Sequence, residues 1–349
     1  VAMKSSRPSL LISPTSLPIE YHGTCGKTSG ATSVPVRVHW GAPRSRLDHK
    51  DNLSYAGWYG GVLPHAKIVA LSAHEKKDNS FEVASPVSQQ LDFLRARIRI
   101  HGAKSLISYP TNLVQLAQHL RQDGQTIPEL ERLVCMSELF EASQEACIAE
   151  AFPNARIAAT YSCTETGMIA GRCPHNPDNY HIMAHKLGVE FLNADGRPCA
   201  EGEVGQIVIT DYFNRAMPFI RYAIGDLAAP VRCECGKIEL PALTRLLGKQ
   251  RGLLRHPDGH YVFSTELSPH IRDSIEVRQY QVIQHAPARF LLRVIARDGA
   301  DAAAFEVRMR ELFTLHFGVT TELVFDWCAD IPRLPGGKYM EFVGLKDPA

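Results

Sequence analysis

The fold is decided by residues 133–165, which read LVCMSELFEASQEACIAEAFPNARIAATYSCTE. The apolar run Leu133–Met136 predicts a short buried strand, and Ala142–Phe152 predicts a helix that ends before Pro153. A second short strand is expected over Ile157–Thr160, with polar residues immediately after it. Strands and helices that alternate in this way are typical of an α/β sheet.

The sequence on either side extends this pattern. Lys67–Ser72 predicts another strand, and Thr111–Gln122 carries apolar residues at helical spacing. Elsewhere in residues 19–102, short apolar runs alternate with turn-rich segments. Further along, Gln206–Thr210 is one of several expected strands bounded by turn residues.

A compact strand–strand–helix–strand pattern follows a group of turn residues near Gly248. Its members are Tyr280–Gln284, Arg289–Ala296, the helical 302–316 and Thr321–Phe325. We therefore expect an α/β fold, in which a large domain of sheets and helices is joined to a small, mobile C-terminal α+β domain. The expected boundaries give an irregular arm over 1–20, the large domain over 21–247 and the small domain over 248–349.

The composition argues against several classes of function. The chain has 38 basic and 37 acidic side chains and a net charge of +1, so neither nucleic acid nor an anionic membrane is an expected partner. No apolar run approaches the roughly 18 residues that a membrane span needs. The nine cysteines are an odd number with irregular spacing, which argues against a secreted disulfide scaffold. A cytoplasmic protein is the expectation by elimination.

A hydroxyl- and glycine-rich stretch, Thr28–Pro35, lies near the start of the expected large domain. Backbone N–H groups and hydroxyls in such a loop can converge on phosphate oxygens, although many such stretches are ordinary surface loops. An alternative treats Gly26 and Lys27 as part of a Walker A loop and 206–211 as the Walker B strand. That pattern requires glycine where the chain has Tyr21.

Three charged side chains stand next to turn residues. Glu165 follows a strand beside hydroxyl groups, where a carboxylate can hold Mg²⁺ and its phosphate oxygens. Asp226 follows Gly225 in an expected tight turn, where it can accept hydrogen bonds from ribose hydroxyls. Lys338 lies on a Pro-Gly-Gly loop. Each of them, taken alone, is equally typical of a solvated turn.

The order and separation of these motifs carry more information than any one of them. Tyr161-x-x-Thr164-Glu165, Tyr222-x-x-Gly225-Asp226, Gly248-Lys249 and Pro335-x-Gly337-Lys338 resemble the acyl-adenylate-forming superfamily. Residues 215–222 (RAMPFIRY), which are followed by a Cys-x-Cys-Gly motif, resemble its phenylacetate–CoA ligase branch. The resemblance covers residues 21–345.

The resemblance implies a role for each matched residue. Tyr161 would stack on adenine, Thr164 would touch the α-phosphate, and Glu165 would hold Mg²⁺. Asp226 would bind both ribose hydroxyls, and Lys338 would reach from the small domain to the substrate carboxylate and the α-phosphate. The phosphate loop would contribute Thr28, Ser29, Gly30 and Thr32.

The chain departs from the family's pattern at several positions. Lys249 stands in place of an arginine that normally also touches the ribose. Ser33 and Val36 replace the second glycine and the lysine of the phosphate loop, and Arg251 stands where the hinge aspartate is expected. Members of this branch also carry several dozen further residues before the loop, so a short or N-terminally truncated member is expected.

The activity that the resemblance implies is ATP-dependent activation of a small carboxylic acid. The acid becomes an acyl-adenylate with release of pyrophosphate, and coenzyme A then accepts the acyl group. Two alternatives remain open, namely transfer to an amine to form an amide, and a degenerate homologue that binds nucleotide without catalysis. A homodimer is compatible with the sequence. Segments expected to line the acyl pocket contain four residues that could equally be core residues: Trp58, Tyr59, Tyr109 and Glu138.

Two pairs of soft ligands flank the strand-rich segment. Cys173, His181, Cys233 and Cys235 together offer the thiolate and imidazole donors of a closed, structural zinc site. The Cys-x-Cys spacing is tighter than the usual Cys-x₂-Cys. His175 is the alternative fourth ligand, and free thiols beside a surface histidine are the other interpretation.

Overall fold

The computed structural model describes residues 24–27, 37–73, 78–193, 195–249, 253–333 and 339–345. The expected N-terminal arm and phosphate loop lie outside these residues. Strands β1 (Thr24–Lys27) and β2 (Arg37–Trp40) pair in antiparallel fashion, and helix α1 (Ala42–Trp58) follows them.

Half of the main sheet is parallel, as the alternation of strands and helices predicts. Strands β4, β3, β5, β6 and β7 lie side by side in parallel, and one helix occupies each connection from β4 onward. This confirms the α/β class. The elements are β3 (Ile68–Ser72), β4 (Ser80–Glu82), α2 (Val87–His101), β5 (Ser105–Ser108), α3 (Pro110–Gln122), β6 (Arg132–Cys135), α4 (Ala142–Ala151) and β7 (Arg156–Cys163).

The other half of the same sheet is antiparallel. Its strands are β8 (Gly167–Arg172), β9 (Tyr180–Ile182), β10 (Leu187–Leu192), β11 (Gly205–Asp211), β12 (Tyr222–Val231) and β13 (Ala242–Lys249). The order across the eleven strands is β10-β11-β12-β13-β9-β8-β7-β6-β5-β3-β4. Strand β7 therefore joins the two halves, because it runs parallel to β6 and antiparallel to β8.

The C-terminal part contains a second, smaller sheet of order β18-β17-β16-β19. The expected helix over 302–316 forms, because Phe305, Met309 and Phe313 recur every four residues and are buried against Phe290 and its neighbours. The elements are β14 (Leu254–Arg255), β15 (Tyr261–Val262), α5 (Ser264–Arg272), β16 (Val277–Ala286), β17 (Arg289–Ala296), α6 (Ala302–Phe317), β18 (Glu322–Trp327) and β19 (Phe342–Val343).

Three helices differ from the sequence-based expectation. Helix α1 lies where short apolar runs and turns were expected. Its buried residues include Arg44 and Asp51, so it has no apolar stripe that would have indicated a helix. Helix α2 was expected as turns and short runs, although it buries Leu91 and Leu94. Helix α5 was not expected, because it contains Pro269 and an internal proline usually ends or kinks a helix.

The two parts of the chain have separate hydrophobic cores. One core lies around the main sheet, and the other begins at Leu254, shortly after β13 ends at Lys249. The expected boundary at 247 falls inside β13, and the division into domains stays a prediction. No helix among the described residues is long and apolar enough to cross a bilayer.

Candidate functional site

The first motif lies where the main sheet changes from parallel to antiparallel. Strand β7 was expected to end at Thr160, but it continues to Cys163 because Tyr161 pairs with Ala170 of β8. Tyr161 is therefore part of the strand, and Thr164 and Glu165 form the turn that follows. The turn ends at Gly167, which has φ +64°. A Cβ atom there would collide with the carboxylate of Asp48, and the positive φ strains other residues, so this position favours glycine.

The second motif lies within β12 and not after a tight turn, which corrects the expectation for Asp226. Ala223 is opposite Val208 and Leu227 is opposite Gln206, so three residues of β12 face one residue of β11. This bulge includes Gly225, whose φ of +79° places it in the left-handed region. Bulges occur often beside active sites because they redirect a side chain.

Two tyrosine–carboxylate hydrogen bonds join the motifs. The hydroxyl of Tyr161 donates to Oδ2 of Asp226 at 2.8 Å, and the hydroxyl of Tyr222 donates to Oε1 of Glu165 at 3.3 Å. Burial, together with the neighbouring Asp226 carboxylate, raises the pKa of Tyr161 well above its usual value. Tyr161 thus remains a donor at neutral pH. We refer to Tyr161, Glu165, Tyr222 and Asp226 as the tyrosine–carboxylate cluster.

The other expected nucleotide contacts are only partly described. The backbone of Lys249 in β13 lies directly opposite Asp226, which places this residue beside the cluster. Lys338 and the phosphate-loop residues Thr28, Ser29, Gly30 and Thr32 lie outside the described residues. The Walker alternative is wrong, because Gly26 and Lys27 lie in strand β1 instead of a loop.

The thiol–imidazole cluster consists of Cys173, His181, Cys233 and Cys235. Their candidate ligand atoms all lie within 4.8 Å of one another, and Sγ of Cys235 is 3.6 Å from Nε2 of His181. The alternative ligand, His175, instead donates its backbone N–H to Sγ of Cys173 at 3.4 Å. The structure therefore groups the four residues that the sequence predicted.

The surroundings of this cluster suit a soft metal ion. Nδ1 of His181 is 3.2 Å from the carbonyl oxygen of Leu240, which leaves Nε2 directed at the thiols. Burial lowers the pKa of His181, so its imidazole is neutral and able to bind a metal. Burial raises the pKa of Cys173 to about 11. For Cys235, burial also acts to raise the pKa, but hydrogen bonds from Lys237 and Ile238 lower it overall.

Two residues expected to line an acyl pocket pack beside this cluster. The ring of Trp58 lies 5.8 Å from that of His181, and the hydroxyl of Tyr59 donates to the carbonyl of Arg172 at 3.0 Å. Both contacts are those of core residues, which is the alternative that the sequence left open. Tyr109 is also buried, with the guanidinium of Arg333 5.8 Å from its ring centre.

A buried charge network that the sequence did not reveal holds α1 against the sheet. Nζ of Lys186 lies 2.6 Å from carboxylates of both Asp48 and Asp51. Arg44 lies 2.9 Å from Asp48 and 2.7 Å from Asp211 at the end of β11. Arg44 and Lys186 are fully buried, and each keeps its charge compensated by two carboxylates.

A second unexpected set of charged residues connects the two parts of the chain, and we call it the junction cluster. Nη1 of Arg333 is 3.4 Å from Oε1 of Glu138, and Nη2 of Arg272 is 2.6 Å from Oε2 of Glu141. The hydroxyl of Ser268 also donates to Glu141, at 2.8 Å. The sequence indicated Glu138 only as a candidate for the acyl pocket, and its pairing with Arg333 could not be predicted, because the two residues lie far apart in the chain.

Comparison with known sequences gives two distant relatives, and no protein-family model matches the chain. Protein CapK of Staphylococcus aureus is 24% identical over 143 residues, which are 39% of this chain and 31% of that protein. A phenylacetate-coenzyme A ligase of Thermus thermophilus is 27% identical over 154 residues, or 43% and 32% of the two chains. The match thus spans about a third of the length of either relative.

Solved structures with the same fold cover nearly the whole chain. 2-Hydroxyisobutyryl-CoA ligase in its postadenylation state, in complex with 2-HIB-AMP, has a TM-score of 0.71 at 17% identity, covering 93% of this chain and 73% of its own. In its thioesterification state the same ligase has a TM-score of 0.53 at 18% identity, with 95% and 75% covered. The amide bond synthetase McbA from Marinactinospora thermotolerans has a TM-score of 0.64 at 17% identity, with 90% and 66% covered. The chain has the fold of the acyl-adenylate-forming ligases, as its motifs predict.

Proposed function

We propose that the chain binds ATP, activates a small carboxylic acid as its acyl-adenylate and passes the acyl group to coenzyme A. The observation that carries this proposal is the tyrosine–carboxylate cluster, in which two hydrogen bonds join the two motifs between residues 65 and 57 positions apart. Nucleotides bind in open α/β sheets beside the carboxyl ends of parallel strands, and the position of Glu165 directly after β7 supports such a site.

Asp226 is the proposed ribose ligand. Its carboxylate lies 6% exposed at the bulge of β12, and the bond from Tyr161 fixes the direction in which it points. A carboxylate held in this way can accept hydrogen bonds from both ribose hydroxyls without a further loss of side-chain entropy. The hydroxyl bond and the burial of Tyr161 favour this orienting role over the adenine-stacking role that the resemblance implies.

Glu165 is the residue that would hold Mg²⁺, and Thr164 beside it would touch the α-phosphate. Both offer oxygen donors on the turn after β7, and the bond from Tyr222 restrains the Glu165 carboxylate. Such hard oxygen ligands fit this ion. When bound, Mg²⁺ supplies positive charge to the phosphate oxygens.

Lys338 is the proposed catalytic lysine. The substrate carboxylate attacks the α-phosphorus in line, a new P–O bond forms, and the bond to pyrophosphate breaks. Positioning and neutralisation of the developing charge dominate such transfers. A lysine at the α-phosphate supplies charge where it develops, and loss of one such group costs about 10²–10³ in rate.

The arrangement of the two sheets supports the assignment of this conformation to the acid-activation step. The likeness is greater to the postadenylation state of 2-hydroxyisobutyryl-CoA ligase than to its thioesterification state. For the second half-reaction, the C-terminal part would turn and admit the acceptor thiol to the mixed anhydride. The shared fold of McbA keeps an amine acceptor as the second candidate.

The proposal is tested by acid-dependent ATP–pyrophosphate exchange over a panel of aryl, short-chain and amino acids. Exchange with at least one acid is the expected result, and product analysis with coenzyme A or an amine then identifies the acceptor. Binding of ATP without exchange for any acid would favour the degenerate homologue instead.

For the thiol–imidazole cluster we propose one structural zinc ion. Three sulfur atoms and one imidazole nitrogen match a closed tetrahedral site, and no position remains for a reacting water. The cluster ties the loops after β8 and β12 to strand β9, so its role would be to stabilise the antiparallel half of the sheet.

A further inference from the structure

Glu138 is a buried carboxylate at the junction cluster, and it accepts hydrogen bonds from both parts of the chain. The backbone N–H and the hydroxyl of Thr111 donate to Oε2 at 3.2 and 2.7 Å. The backbone N–H of Tyr339 donates to Oε1 at 2.6 Å, and Arg333 donates to the same oxygen at 3.4 Å. Thr111 begins α3 in the N-terminal part, whereas the other two donors belong to the C-terminal part.

The two C-terminal donors bracket one short segment. Arg333 precedes residues 334–338 and Tyr339 follows them, and Lys338 is the last residue of that segment. The segment itself lies outside the described residues. A single oxygen atom of Glu138 therefore binds the chain on both sides of the proposed catalytic lysine.

The backbone directly before Glu138 also has an unusual conformation. Ser137 has φ +66°, a left-handed conformation that a residue with a side chain adopts at a cost of about 1 kcal/mol or more. Non-glycine residues keep such conformations where the surrounding contacts require them, and they concentrate at functional sites. Here the conformation lies directly before Glu138, between strand β6 and helix α4.

The ion pair between Glu138 and Arg333 restrains the geometry of the junction more than it stabilises the folded protein. The side chains of Glu138 and Arg333 are 6% and 12% exposed, so both charges lose most of their hydration. A buried ion pair often adds little net stability, but removing one partner leaves the other uncompensated. The contact therefore depends on how the two parts of the chain are arranged, because its two charges come from different parts.

We propose that Glu138 is a positioning residue for acid activation, which fixes Arg333 and Tyr339, the two described residues on either side of the sequence that contains Lys338. This inference rests on the proposed function. It implies that the contact is present during the first half-reaction and released during acyl transfer. Glu141 provides a matched control, because it belongs to the same loop and pairs with Arg272 and Ser268 on α5, without a described contact to the bracketing residues.

The test compares Glu138→Ala, Glu138→Gln and Glu141→Gln in the full chain. We expect Glu138→Ala to lower kcat for ATP–pyrophosphate exchange by about tenfold to hundredfold, with a KM for ATP within about threefold of wild type. Glu138→Gln keeps an acceptor oxygen and should lose less. Acyl transfer from a pre-made acyl-adenylate should change little in either variant, and Glu141→Gln should lower exchange less than Glu138→Ala, because it weakens the junction without removing a contact to the bracketing residues.

A structural measurement separates this inference from the function on which it rests. Hydrogen exchange resolved at the Tyr339 amide should be faster in Glu138→Ala than in wild type and unchanged in Glu141→Gln. Equal losses in both half-reactions, or an unchanged Tyr339 amide, would overturn the positioning role while leaving the adenylation proposal intact. A wild-type chain that exchanges pyrophosphate with no acid would overturn the adenylation proposal, and the positioning role with it.

Discussion

The tyrosine–carboxylate cluster and the junction cluster hold their carboxylates in opposite ways. In the first, a tyrosine hydroxyl donates to each carboxylate, and the four residues lie on strands β7 and β12 of one sheet or on the turn directly after β7. In the second, arginines pair with Glu138 and Glu141, and each pair joins two separate cores. The first arrangement keeps a fixed shape for a ligand, whereas the second depends on where the C-terminal part lies.

This difference implies that the two clusters serve different steps of the proposed reaction. A nucleotide site works best when its groups are positioned before the ligand arrives, and strand pairing supplies that rigidity. A contact that must form and break between two half-reactions works best when its partners are separately stable, as two cores allow. Variants in the two clusters should therefore affect different measurements.

The largest effect is expected for Lys338→Ala. The variant should fold and bind ATP, because the proposed nucleotide contacts in the described residues lie in the N-terminal part. Acid-dependent ATP–pyrophosphate exchange should fall by about 10²–10³, the loss expected for one charge-stabilising group. Transfer from a pre-made acyl-adenylate should be affected much less.

The control for that variant is Lys50→Ala, which removes an exposed lysine of α1 and should retain wild-type activity. Loss of both half-reactions in Lys338→Ala would assign the lysine a structural role. Retention of both would remove the catalytic lysine from the proposal and favour a nucleotide-binding homologue without catalysis.

The next effect in size concerns Asp226→Ala, which breaks the rigid cluster. A hydrogen bond to a charged group is worth about 1.5–3 kcal/mol, so ATP affinity measured by titration calorimetry should fall by about tenfold to hundredfold or more. Tyr161→Phe leaves the carboxylate in place and removes only its orienting bond, so its loss of affinity should be smaller. ATP binding that is unchanged in soluble Asp226→Ala would rule out the ribose assignment.

The two clusters also differ in how far the sequence could predict them. The residues of the tyrosine–carboxylate cluster lie in two motifs of five residues, and this short spacing made the motifs visible. Glu138 and Tyr339 are 201 positions apart, and each is a common residue type with no local pattern. Pairing across such distances depends on the packing of whole domains, which no local spacing encodes.

The same limit applies to the fold. The helix over 302–316 could be predicted because its apolar residues recur at helical spacing. Helix α1 could not, because it is held in place by ion pairs of Arg44 and Asp48 with residues more than a hundred positions away. Periodicity detects an apolar buried face and fails where the buried face is charged and paired.

Removal of the proposed zinc ion tests the stability of the antiparallel half of the main sheet. It leaves the tyrosine–carboxylate cluster and the junction cluster unchanged. Protein purified without chelator should contain one zinc ion per chain by elemental analysis, and stripping it should lower the thermal midpoint by on the order of 5 °C or more. Cys235→Ser should reproduce that loss, whereas Cys328→Ser, in the C-terminal part, should not. Finding no zinc would eliminate the site.

The smallest effect concerns protonation at the junction. Glu341 faces the junction cluster, with Oε1 3.9 Å from Nε of Arg272. Burial raises the pKa of Glu341 to about 7, the nearby carboxylates of Glu141 and Glu138 act in the same direction, and Arg272 opposes them. An unfolded glutamate titrates near 4.3, so the folded protein binds the extra proton between those two pH values.

The sign of the resulting pH dependence follows from this upward shift. A carboxyl group whose folded pKa is raised contributes stability that is fully present below its unfolded pKa and is lost as the pH rises through about 7. The thermal midpoint of the wild type should therefore decrease relative to that of Glu341→Gln as the pH rises from about 5 to 8, because the glutamine stays neutral throughout. If the difference between the two thermal midpoints stayed constant over this pH range, Glu341 would be ionised at neutral pH. In that case Glu341 would act as a second acceptor for Arg272, and the carboxylate charge at the junction would not depend on pH.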